Sequence, residues 1–85
     1  MSISIRFFAS LKEQMGTDRL QLDSGFEPRT VGGLRVYLSA HNRDFARAVQ
    51  EVGRLRAAVN QDMADEDTPI PAVAEVAFFP PVTGG

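Results

Sequence analysis

Ser2-Ile3-Ser4-Ile5-Arg6-Phe7-Phe8 carries an apolar side chain at every second position, so Ile3, Ile5 and Phe7 share one face and Ser2, Ser4, Arg6 and Phe8 the other. A period of two suits a half-buried β-strand and does not suit a helix. The same period returns near the other end, where Glu75-Val76-Ala77-Phe78-Phe79 sends Val76 and Phe78 inward. Strands at both ends with helical stripes between them confine the chain to a sheet folded around a helix.

Between these strands, Ala9 to Met15 reads as a short helix, with Leu11 and Met15 four residues apart and Gly16 as its C-cap. Arg19-Leu20-Gln21-Leu22 alternates again and predicts a strand antiparallel to the first. Thr30 is the N-cap of the main helix, whose stripe of Val31, Leu34, Tyr37 and Leu38 runs to about His41. Gly32 and Gly33 fall in its first turns, where glycine is a poor helix former, so either the start is ragged or the helix packs closely on the sheet there. Phe45, Ala48, Val49 and Val52 mark a shorter helix ended by Gly53, and Leu55 to Asn60 a further strand.

Gln61 to Pro71 carries Asp62, Asp65, Glu66 and Asp67 with Pro69 and Pro71, and reads as a solvated connector; without a histidine it suggests no metal site. Pro80 and Pro81 lack an N–H, so they end the last strand and hold the tail beyond it extended. The expected architecture is α+β: a single domain over residues 1–85, a mixed sheet on one main helix plus short helices, with a flexible C-terminal tail at residues 80–85.

Composition narrows the function. A chain of 85 residues without cysteine has no disulfide and no thiolate nucleophile, and a domain this small leaves no room for a deep catalytic cleft. The formal charge is −2 and the basic residues are scattered, which argues against nucleic acid as a partner. No apolar run approaches the roughly 20 residues that cross a bilayer. The N-terminus also lacks a signal-peptide pattern, so no membrane role and a cytoplasmic location are expected. His41, the one histidine, lies at a helix end, where capping or solvent exposure fits better than catalysis.

That leaves Pro80-Pro81-Val82-Thr83-Gly84-Gly85 as the candidate for chemistry. A terminal carboxylate is a poor acyl donor until ATP converts it to an acyl-adenylate, which sulfur or an amine can attack. Glycine suits that step because no Cβ shields its carbonyl or blocks a narrow channel. Pro80 to Gly85 spans about 20 Å when extended, at roughly 3.3–3.6 Å per residue, enough to enter another protein's active site. The prolines lower the entropy lost on entry. Alternation also turns Phe8 and Phe79 outward, and if the first and last strands pair, these two could join Met63 in an apolar patch for a partner. Cover by a neighbouring loop or helix is the alternative for each.

Taken together, these residues resemble the ubiquitin-like sulfur carriers, most closely the molybdopterin synthase small subunits. The likeness is carried by RFFASLKEQMGTD at 6–18, TVGGLRVYL at 30–38, LRAAVNQD at 55–62 and EVAFFPPVTGG at 75–85, and so covers nearly the whole chain. It implies a β-grasp fold and a carrier function. By the same resemblance, Gly85 is adenylated by an ATP-dependent activating enzyme and converted to a thiocarboxylate, with Gly84 as its channel-fitting neighbour. Pro80, Pro81, Val82 and Thr83 then lead the tail into the large synthase subunit of a heterotetramer, where sulfur passes to cyclic pyranopterin monophosphate to form the dithiolene of molybdopterin. Catalytic side chains are expected on the large subunit; the carrier itself binds no cofactor, ATP being used by the activating enzyme. The family's docking positions fall on Phe8, Met63 and Phe79.

Two segments depart from the family pattern. Ala72-Val73-Ala74 stands where relatives carry Asp-Gly-Asp before Glu-Val, and the chain is a few residues longer around Asp23 to Arg29, read as a surface segment. Other readings stay open: a carrier for thiamine or cysteine synthesis or transfer-RNA thiolation, a protein modifier joined through Gly85 to lysines, or a binding module with an inert tail. Lys12 is the only lysine, so a modifier building chains on itself would have a single acceptor.

Overall fold

The computed structural model describes residues 2–23 and 25–81. Strands β1 (Ser2–Phe7), β2 (Arg19–Leu22), β3 (Arg56–Val59), β4 (Asp62–Ala64) and β5 (Val73–Phe79) form one sheet in the order β2-β1-β5-β3-β4. Helices α1 (Ser10–Met15), α2 (Val31–His41) and α3 (Arg43–Val52) bury their apolar stripes in the same core as the inward faces of the strands. β1 pairs antiparallel with β2, as its alternation predicts, and parallel with β5, which lies at the centre of the sheet. The first and last strands are therefore neighbours. Ile3, Ile5, Phe7, Val76 and Phe78 all point inward and meet Leu11, Leu34 and Phe45. Phe45 of α3 binds the layers, its ring 5.4 Å from Phe78 in an edge-to-face contact and 6.3 Å from Phe7.

The start of α2 is capped and not ragged: Thr30 Oγ1 accepts a hydrogen bond from the Gly33 amide at 3.1 Å. The close approach expected at the glycines is real but is made to a loop. A Cβ on Gly33 would lie 1.8 Å from the carbonyl oxygen of Pro28, so only glycine fits. With 10 residues against 11 in α2, α3 is nearly as long, so the sheet carries two substantial helices and not one main helix. Asn42 joins them; its Oδ1 caps α3 by accepting from the Phe45 amide at 2.9 Å.

Three surface expectations need correction. The acidic connector contains a strand: β4 pairs with β3 through a two-residue turn in which Asn60 and Gln61 have φ of 49° and 74°, the positive values a tight hairpin demands. Ile70, in the same connector, is buried, and so is Phe26 in the segment read as surface. Arg29 ties the two segments together, donating to the carbonyls of Ile70 at 3.1 Å and Pro71 at 2.8 Å while its guanidinium lies 4.9 Å from the Phe26 ring centre. The last strand also begins earlier than read, since Val73 and Ala74 pair with Ser2 and Ile3. No helix among the described residues is long and apolar enough to cross a membrane.

Candidate functional site

The tail departs from the middle of the sheet. At the end of β5, Phe78 pairs with Phe7 of β1 and Phe79 with Arg56 of β3, and the Phe8 amide extends the ladder by donating to the Phe78 carbonyl at 3.3 Å. Pro80 and Pro81 then offer no donors, which ends the pairing. The base of the tail is anchored by burial. Phe78 is fully buried against Phe45, and Arg35 of α2 stacks 5.6 Å from the Phe78 ring centre. Arg35 is fixed in turn by an ion pair with Glu66 at 2.6 Å and a hydrogen bond to the Leu55 carbonyl at 3.2 Å. The central strand thus fixes where the tail begins.

The face of the sheet away from the core presents the three docking candidates. Register puts Arg6, Ala77, Ala58 and Met63 in one row across β1, β5, β3 and β4, while Phe8 and Phe79 lie one residue pair nearer the tail. Phe8 is 44% exposed and Met63 58%, with the small Ala77 and Ala58 between Arg6 and Met63 in their row. An apolar strip four strands wide, roughly 14 Å across at 4.7–4.9 Å per strand, therefore lies at the foot of the tail. Phe79 differs from expectation in degree: it is half-buried, because neighbouring strands flank it on both sides. Arg6 spans the strip's edge, 5.6 Å from the Phe8 ring centre and 3.7 Å from the Glu75 carboxylate.

Pro80 is half-buried and Pro81 exposed beside Phe79. Val82, Thr83, Gly84 and Gly85 lie outside the described residues. His41 stacks on Tyr37 with ring centres 4.2 Å apart, and its Nδ1 donates to the Tyr37 carbonyl at 2.9 Å, an arrangement that belongs to the helix end. In the acidic turn, the Asp65 carboxylate accepts from the Asp67 amide and the Thr68 hydroxyl and so shapes the loop. Sequence reading missed Ala9, which caps α1 with φ of 57° and turns the chain directly after Phe8. No residue preference signals that conformation in an alanine.

Residues 5–85 match the model of the ThiS family. The chain belongs to that family. It is 43% identical over 83 residues to the molybdopterin synthase sulfur carrier subunit of Escherichia coli, covering 98% of this chain and 99% of that protein. The corresponding subunit of Haemophilus influenzae is 35% identical with the same coverage. Among solved structures, the small archaeal modifier SAMP1 from Haloferax volcanii superposes with a TM-score of 0.72 at 27% identity over the full length of both chains. One chain of the complex of subunits 1 and 2 of the molybdopterin-converting factor from Helicobacter pylori gives a TM-score of 0.65 at 23% identity, again over the full length of both chains. The fold of this ThiS-family chain is thus the ubiquitin-like β-grasp, with the mixed sheet and helices described above.

Proposed function

We propose that this chain is the sulfur carrier subunit of a molybdopterin synthase. The observation that carries the reading is the full-length likeness to a protein of that name, in a family match that runs through Gly85 itself. In the proposed cycle, the Gly85 carboxylate attacks the α-phosphate of ATP on an activating enzyme, giving the acyl-adenylate and pyrophosphate. A sulfur donor displaces AMP to leave the thiocarboxylate. The apolar strip of Phe8, Phe79 and Met63 docks on the large subunit, and the tail delivers sulfur to cyclic pyranopterin monophosphate. This chain supplies the reacting carbonyl and the alignment, and the partners supply the catalytic side chains.

Reconstitution tests the reading: thiocarboxylated chain, cognate large subunit and the cyclic monophosphate are expected to yield dithiolene in proportion to the carrier consumed. Absence of product, with sulfur instead accepted by a thiazole-forming or transfer-RNA-thiolating system, would assign the chain to another pathway. Docking has its own signature. Phe79→Ala is expected to weaken binding to the large subunit by about 2 kcal/mol, as interface aromatics do, and to lower folding stability by less, because the side chain is only half-buried. Equal losses in binding and in the thermal melt would make Phe79 a core residue and not a docking one.

A further inference from the structure

We infer that a collar of arginines around the foot of the tail steers this chain onto a carboxylate-rimmed surface of the large subunit; the inference rests on the function proposed above. β2, β1 and β3 each bring an arginine to the tail-proximal end of the open face: Arg19 pairs in register with Arg6, and Arg56 with Phe79. Arg54 lies two residues before Arg56, and the two line, with Pro81, Arg35, Asp65 and Glu66, a groove on the flank of the departing chain. The arginines thus flank Phe8 and Phe79, while Met63 lies beyond them on the edge strand β4.

Two of its charges are unspent. Neither the Arg54 nor the Arg56 side chain has a hydrogen-bond or ion-pair partner among the described residues, and both residues are exposed. Of the acids close by, Glu75 pairs with Arg6 and Glu66 with Arg35, while Asp65, hydrogen-bonded within its own turn, and Asp18, beside Arg19, keep their charge. Arg6, Arg19, Arg35, Arg54 and Arg56 outnumber Asp18, Asp65, Glu66 and Glu75 by one, so a slight positive excess, concentrated at Arg54 and Arg56, sits at one end of a molecule whose formal charge is −2. Net charge would not draw the chain to an acidic partner, so any attraction must act through this end and orient the encounter.

The tip of the tail carries the opposite sign, being a carboxylate or thiocarboxylate. A positive collar with a negative tip fits a receiving surface that has the reverse order: carboxylates around the mouth and cationic groups inside, where the phosphate of the pterin precursor must also be held. Apolar strip, collar and tail then engage in one orientation. Exposed arginines at a rim act mainly on the association rate and its salt dependence, with little effect on dissociation.

The test is stopped-flow association of the whole chain with the cognate large subunit across a sodium chloride series. Arg54→Glu/Arg56→Glu is compared with Arg43→Glu/Arg47→Glu, which makes the same charge change at exposed positions of α3, and Arg54→Gln/Arg56→Gln serves as a neutral form. At low salt the collar reversal is expected to slow association about tenfold and flatten its salt dependence, with dissociation nearly unchanged. Equal slowing by both reversals, or wild-type association indifferent to salt, would overturn the collar while leaving the carrier reading intact. No binding of the wild-type chain to the large subunit would overturn both. The wild-type salt series needs no variant, so a misfolded mutant cannot shelter the proposal.

Discussion

Deleting Gly85 is expected to reduce sulfur transfer to the pterin precursor by at least about 100-fold while the thermal melt stays where it is. The two effects separate because they belong to different parts of the chain. The ladder of β5 ends at Phe79, and the core residues that hold the sheet lie between Ile3 and Phe78. Shortening the tail removes none of those contacts. It does withdraw the reacting carbonyl by one residue, roughly 3.3–3.6 Å, whereas a misplacement of about 1 Å can cost a factor of 100. Retained sulfur transfer would place the chemistry elsewhere in the protein. A lowered melting temperature would mean that the tail packs on the domain.

Gly33→Ala is expected to destabilise the fold by about 3 kcal/mol, at the upper end of what overpacking costs. For a domain of this size, at about 4–8 °C per kcal/mol, the melting temperature should fall by roughly 12–24 °C. Helix propensity alone predicts the opposite sign, a gain of about 1 kcal/mol for alanine over glycine inside a helix. Sterics win because the new Cβ would meet backbone: Pro28 places its carbonyl oxygen 1.8 Å away, its carbonyl carbon 2.8 Å and its nitrogen 3.0 Å. Pro28 is not free to retreat, since the same oxygen accepts from the Thr30 amide at 2.9 Å, just ahead of the cap of α2. Gly25→Ala is the control. Its Cβ would meet nothing within 4 Å, and the melt should move by less than about 0.5 kcal/mol. A Gly33→Ala protein that melts like wild type would show that the 28–33 loop can open, contrary to this packing.

The elements legible in the sequence are those whose periodicity is long enough to be seen. β1 and β5 announce themselves by several alternating positions each, and the inward set of Ile3, Ile5, Phe7, Val76 and Phe78 is the buried set. β4 could not be seen in that way. It has three residues on a sheet edge, Asp62-Met63-Ala64, in a stretch whose charge suggests a solvated loop. The only local sign of its hairpin was Asn60, a residue that tolerates positive φ. Phe26 and Ile70 are single apolar residues without periodic neighbours; they join the core through long-range packing, Phe26 against Tyr37 of α2, and Arg29 ties their two segments together, none of which a spacing rule detects. The outward facing of Phe8 and Phe79 was legible because it follows from alternation; that of Met63 was not, because its strand lay in a segment read as a connector. The depth of Phe79 was not, because it depends on which strands flank β5.

The most direct test of the carrier function is the intact mass of the protein recovered from cells with the pathway active. A shift equal to one oxygen replaced by sulfur is expected, confined to the C-terminal peptide and absent when Gly85 is deleted. An unmodified mass, persisting after incubation with ATP, a sulfur donor and the cognate activating enzyme, would contradict that function.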